Sequence, residues 1–127
     1  MTQSLEDYLE MVSFLSDNGE VRVTDIASRL AVSKPSVLSA LRTLEEQGLI
    51  RHERYRTVSL TQKGTYRAEL IRERHSFLTC FLSDIVGVSG ENAEKDACRI
   101  EHHLSDETLE KMRLMVISKK KQGSPEN

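Results

Sequence analysis

The chain has 127 residues, with 18 Lys+Arg against 20 Asp+Glu for a formal net charge of −2, two Cys, no Trp, and 38% apolar against 30% charged residues. That length supports one globular unit, or two small ones sharing a long helix, and excludes a large multidomain enzyme; near-neutral charge argues against coating nucleic acid by bulk attraction. No apolar run approaches the roughly 18 residues that cross a bilayer, the start carries acids where a secretory leader would be basic and apolar, and two cysteines are too few for a disulfide scaffold, so a cytoplasmic protein with no membrane partner is expected.

In chain order, Leu5, Tyr8, Leu9, Val12 and Leu15 recur at helical spacing until Asp17-Asn18-Gly19 supplies a turn. Thr24 reads as the N-cap of a short helix carrying Ile26, Ala27 and Leu30. Ser33 caps the next, Pro35 fits its first turn, and Val37, Leu38, Leu41 and Leu44 form its apolar stripe up to Gly48. Two short helices with a tight joint make a helix-turn-helix. The period then changes to alternation through Ile50, His52 and Arg54 and again at Val58 and Leu60, which reads as a two-stranded hairpin with its tip near Tyr55 and Arg56. Thr61 caps a long helix to about Val86, whose Leu70, Ile71, Phe77, Leu78, Phe81, Leu82 and Ile85 cover a surface wide enough for contacts on two sides. Gly87 and Gly90 end it, and two helices follow, from about Glu91 to Leu104 and from Ser105 to about Ser118, the second opened by the capping sequence Ser105-Asp106-Glu107-Thr108. The fold predicted is mainly α: a winged helix-turn-helix over residues 1–62, a helical domain over 63–118, and a disordered tail over 119–127.

Charge is unevenly placed. Residues 47–67 hold Arg51, Arg54, Arg56, Lys63 and Arg67 against Glu53, whereas residues 89–110 are mostly acidic. In a winged helix the second helix of the turn enters the major groove. Here Ser33, Lys34, Ser36, Ser39 and Arg42 sit off the apolar stripe, where hydroxyls can bond bases or phosphates and Lys34 and Arg42 can pair with phosphate. Arg54 and Arg56 at the hairpin tip would add backbone contacts. Any amphipathic helix exposes such residues, but the ordered run of helix, turn, helix and basic hairpin favours double-stranded DNA as a partner.

Cys98, Glu101 and His102 are spaced i, i+3, i+4, which places thiolate, carboxylate and imidazole on one helical face where they can share a metal ion. A solvated acidic face beside an unrelated buried Cys fits these three residues equally well. Asp7 and Glu10, i, i+3 on the first helix, read on their own as solvated. His75 shares its face with Ile71, Leu78 and Leu82 and reads as a core histidine, although a neutral imidazole near carboxylates is also what a metal site requires. A redox regulator switching through Cys98 or Cys80 is the rival reading. An enzyme acting on a small organic substrate is not expected, since no HExxH or nucleophile motif is present.

Residues 4–118 resemble the diphtheria toxin repressor and manganese transport regulator family of bacterial metal-dependent repressors. The stretches that carry the resemblance are Leu5-Glu6-Asp7-Tyr8-Leu9-Glu10, Val32-Ser33-Lys34-Pro35-Ser36-Val37, Leu60-Thr61-Gln62-Lys63-Gly64, Arg74-His75, and Asp96-Ala97-Cys98-Arg99-Ile100-Glu101-His102-His103-Leu104-Ser105. The Leu-Thr-x-Lys-Gly match is generic to winged helices, and the last stretch is close to a family fingerprint. The resemblance implies a homodimer that binds a palindromic operator, a helical metal-binding and dimerisation domain, and metal ligands at Asp7, Glu10, His75, Cys98, Glu101 and His102. Asp7 and Glu10 match the manganese branch, whereas Cys98 stands where that branch has a carboxylate and the iron branch a Cys. Mn²⁺ or Fe²⁺ is therefore expected, with Co²⁺ or Zn²⁺ also compatible with a thiolate. Glu94 and His75 flank what is an ancillary site in the iron branch, where Thr79 replaces a Glu.

Overall fold

The protein's structure, a computed structural model, describes residues 3–53 and 57–123. It forms two compact units, Met1–Arg72 and Glu73–Asn127, and the division falls inside a helix.

The first unit contains α1 (Gln3–Ser16), α2 (Val23–Leu30), α3 (Lys34–Glu46), the strands β1 (Ile50–His52) and β2 (Val58–Leu60), and the beginning of α4 (Gln62–Cys80). Its core takes Leu9 and Val12 from α1, Ile26 from α2, Val37, Leu41 and Leu44 from α3, Ile50 and Val58 from the strands, and Ala68 and Ile71 from α4, all buried. Each buried Leu, Ile or Val side chain contributes about 1.5–3 kcal/mol by leaving water, so the helical spacing of these residues is what assembles the unit. The strands pair antiparallel, Ile50 with Leu60 and His52 with Val58, as a wing hairpin. Val21 adds an isolated bridge to Val58, whose N–H donates to the Val21 carbonyl at 2.8 Å. The tip, with Arg54 and Arg56, lies outside the described residues.

Local capping explains where α3 and α4 start. Ser33 Oγ accepts from the Ser36 N–H at 3.3 Å, and Pro35 occupies the first turn, where no N–H is missed. Thr61 Oγ1 accepts from the Gly64 N–H at 3.0 Å and donates to the Gly48 carbonyl at 2.6 Å, while Lys63 Nζ donates to the Gln47 carbonyl at 3.1 Å. The start of α4 thus satisfies carbonyls that the end of α3 leaves open. Gly64 is required there because a Cβ would fall on the backbone carbonyl of Leu49.

Two expectations for this unit are corrected. The N-cap of α2 is Arg22 rather than Thr24, its N–H donating to Asp25 Oδ2 at 3.1 Å, so the helix opens two residues early. Leu38 leaves the stripe of α3 and is 43% exposed, with Ala40 buried instead; it sits about 100° from Val37 around a 3.6-residue helix, outside the arc that Val37, Leu41 and Leu44 span.

The second unit contains the end of α4, a π-helical segment Phe81–Val86, α5 (Gly90–Ile100) and α6 (Asp106–Gly123). Leu78, Ala97 and Leu109 form its buried centre, flanked by Phe77, Leu82, Ile100, Leu104 and Met112. Arg113 makes a two-pronged pair with Glu73 at 2.6 and 2.7 Å, its guanidinium lying 4.5 Å from the centre of the Phe77 ring. The expected single helix to Val86 is α-helical only to Cys80, after which the hydrogen bonds widen until Gly87, at φ 88°, stops the run. Ser105 caps α6, its Oγ accepting from the Thr108 N–H at 3.1 Å. That helix carries on to Gly123, into the segment whose composition reads as a tail, and residues 124–127 lie outside the described ones. Among the described residues no helix is long and apolar enough to cross a membrane.

Candidate metal centre and nucleic-acid interface

The second unit gathers a carboxylate and two imidazoles. Glu101 is 1% exposed. Its Oε2 lies 2.9 Å from His75 Nδ1 and its Oε1 lies 3.2 Å from His102 Nε2, so each carboxylate oxygen faces one ring. His75 comes from α4, where Ile71 and Leu78, one turn to either side, anchor its face in apolar packing. Glu101 is held by the end of α5, its N–H donating to the Ala97 carbonyl at 3.0 Å, and buried Ala93 and Ala97 let that helix approach its neighbours closely. On its far side, His75 Nε2 lies 2.9 Å from Glu94 Oε1.

A carboxylate this buried is tolerated only where hydrogen bonds or opposite charge compensate it. Burial pulls the pKa of His75 down, but the hydrogen bond to Glu94 and the charges of Glu101 and Glu94 outweigh it, and His75 titrates above its ordinary value. The site's electrostatics therefore favour a positive charge beside Glu101, whether a proton or a metal ion. Its chemistry fits a divalent transition metal, since two donors on one ion at roughly 2.1 Å stand about 3 Å apart.

The helix expected to run to about Leu104 is shorter. α5 ends at Ile100 with Glu101 as its C-cap, and His102 lies in the turn that follows, closed by the His103 N–H to the Ile100 carbonyl at 2.9 Å. Glu101 itself keeps helical backbone angles, φ −59° and ψ −26°, so positions 98, 101 and 102 still fall on one side of the chain. Cys98 remains on α5, one turn before His102, with its side chain exposed. The solvated-face reading of Glu101 fails because that side chain is buried. Asp7 and Glu10, on α1 of the first unit, are half-buried and line a cavity of about 280 Å³ with Met11, Phe14 and Leu30. The burial of Glu101 leaves no mark in the sequence, where a Glu beside two histidines reads as surface.

In the first unit Lys34, Ser36, Ser39 and Arg42 are exposed along the outer face of α3. Ser33 is exposed too, with its hydroxyl engaged at 2.9 Å by that of Ser36 as well as by the capping bond. Leu38 joins this face, an apolar group that spacing had assigned to the core. Arg54 and Arg56 belong to the wing tip that is not described.

Comparison with known proteins matches both units to one family. Residues 1–58 match the N-terminal DNA-binding domain of iron-dependent repressors, and residues 61–122 match their metal-binding and dimerisation domain. Transcriptional regulator MntR of Escherichia coli is 43% identical over 113 residues, covering 88% of this chain and 72% of its own. An uncharacterised HTH-type transcriptional regulator of Methanocaldococcus jannaschii is 33% identical over 118 residues, covering 91% of this chain and 94% of its own. A solved manganese-dependent transcriptional repressor in complex with manganese superposes with a TM-score of 0.74 at 27% identity, over 87% of this chain and 51% of that one, so this chain spans about half of it. The chain accordingly belongs to the iron-dependent repressor family of transcriptional regulators, with the family's DNA-binding domain followed by its metal-binding and dimerisation domain.

Proposed function

We propose that the chain is a metal-activated repressor, cytoplasmic and without catalytic turnover, that binds palindromic operators of metal-uptake genes as a homodimer when Mn²⁺ or Fe²⁺ is plentiful. The observation that carries this reading is the buried Glu101 between His75 and His102, lying within the stretch that matches the family's metal-binding domain. The proposed ligands are Asp7, Glu10, His75, Cys98, Glu101 and His102. A bound divalent ion supplies a positive charge that donors from separate stretches of sequence share. Glu101 offers one oxygen towards each imidazole, His75 and His102 offer ring nitrogens, and Cys98 offers a thiolate.

Asp7 and Glu10 belong to the DNA-binding unit, so their recruitment ties the disposition of α3 to metal occupancy. Palindromic sites require the two recognition helices of a dimer to stand about one turn of DNA apart, roughly 34–36 Å, or a multiple of it. A tenfold shift toward that form needs only about 1.4 kcal/mol of differential affinity. At the DNA, Lys34, Arg42, Arg54 and Arg56 pair with phosphates or bases, and Ser33, Ser36 and Ser39 offer hydroxyls. The carboxylates favour Mn²⁺, as the name of the solved manganese-dependent repressor also supports, while Cys98 favours Fe²⁺, Co²⁺ or Zn²⁺.

The test is to strip the protein with chelator, add Mn²⁺, Fe²⁺, Co²⁺ or Zn²⁺, and measure retention of palindromic duplexes selected from a random library. Binding that rises with metal and falls on chelation is expected; binding indifferent to metal overturns the reading. The exposure of Cys80 and Cys98 supports a second reading, a thiol switch, which predicts instead that oxidation alters DNA affinity in metal-free protein.

A further inference from the structure

We infer that Glu94 is the positioning residue for His75: it holds Nε2 of the imidazole and so presents Nδ1 as the metal-binding nitrogen. This rests on the metal reading above. The two carboxylates beside the ring lie at the same distance, 2.9 Å, but are otherwise unlike. Glu101, on the Nδ1 side, is 1% exposed and also meets His102, so three donors converge there. Glu94, on the Nε2 side, is 63% exposed, and its carboxylate keeps most of its water.

Nδ1 of His75 faces Glu101, which also meets His102, and would be the nitrogen that holds the ion, leaving the ring proton on Nε2, where Glu94 accepts it. A carboxylate on the outer nitrogen of a ligating histidine fixes the tautomer, orients the ring and raises its basicity. Glu94 is suited to this because α5 also carries Cys98 one turn later. Holding the ring against Glu94 therefore registers the α4 histidine to the helix that supplies the thiol.

The experiment uses the full chain with labelled histidines, loaded with Zn²⁺ alone, and reads the ring nitrogens by NMR alongside titration with Zn²⁺ and Mn²⁺. The expected wild-type spectrum shows His75 metal-bound at Nδ1 and protonated at Nε2. Glu94→Ala should weaken both metals roughly 10–100-fold with the same number of ions per chain. Glu94→Gln, whose amide oxygen can accept the same proton, should recover to within about threefold of wild type. Zinc on Nε2, an unchanged affinity in Glu94→Ala, or the loss of a bound ion in that variant, which would make Glu94 a ligand, each overturns the assignment while the metal reading stands. A wild-type chain that takes up no metal overturns both.

Discussion

His75 Nδ1 stands 2.9 Å from Glu101 Oε2 across 26 positions of sequence, and the other oxygen of that carboxylate stands 3.2 Å from His102 Nε2. Two imidazoles on one buried carboxylate define where positive charge belongs in the second unit. Glu101→Gln keeps the shape and a hydrogen-bonding oxygen but removes the charge. Mn²⁺ and Zn²⁺ affinity, measured by calorimetry, should fall by more than the roughly 10–100-fold typical of an outer partner. Affinity within threefold of wild type, on the order of 0.6 kcal/mol, would remove Glu101 from the ligand set.

Cys98→Glu replaces a soft thiolate by a hard carboxylate at an exposed position of α5. The ratio of Mn²⁺ to Zn²⁺ affinity should rise about tenfold or more, equivalent to at least about 1.4 kcal/mol. Competition between the two ions for one sample measures it directly, and an unmoved ratio means the thiol does not set selectivity.

Ser33 has a capping role that can be separated from any role at DNA. Ser33→Ala removes the oxygen that accepts from the Ser36 N–H and should cost about 1 kcal/mol in urea unfolding. Ser33→Asp keeps a cap and places a negative charge at the helix's positive end, so stability should hold within about 0.5 kcal/mol. The same charge facing phosphates should weaken duplex binding. Retained DNA affinity in Ser33→Asp would place this end of α3 away from the backbone.

Lys34 and Arg42 are exposed on α3. Each, changed to Ala, should leave unfolding within about 0.5 kcal/mol and reduce the slope of log affinity against log salt by about 1 for each phosphate that is no longer neutralised. Salt titrations of fluorescence anisotropy on one duplex read that slope, and a slope equal to wild type would place the side chain off the DNA backbone.

Gly64→Ala puts a methyl group on the Leu49 carbonyl. Backbone must move to admit it, and the cost should be about 1–3 kcal/mol or more. Because that close approach lies between the wing strand and the start of α4, urea unfolding should fall together with DNA binding. A variant as stable as wild type would show that the two segments can separate freely.

Much of the architecture was legible because its causes are local. Ser33, Thr61 and Ser105 each cap a helix with their own hydroxyl, accepting from an N–H three residues on, and the change from helical spacing to alternation at Ile50 is a property of the strand itself. These are decided within one turn of chain. Thr24 is a better capping residue than Arg22 by type, but at the start of α2 Asp25 completes the cap from the other side, accepting from the Arg22 N–H. Leu38 is apolar by type, but its angle around α3 turns it away from the core.

The candidate metal-ligating residue types, too, are visible in the sequence, but their burial is not. Neighbouring sequence treats Glu101 as one more acid in an acidic stretch, and Glu94 as another. Only packing separates them, burying the first between two rings and leaving the second in water on the far side of His75. Composition and periodicity report what each residue prefers by itself; the desolvation that turns an ordinary glutamate into a charge-demanding site arises when α4 and α5 close on it, and that is a property of the tertiary structure alone.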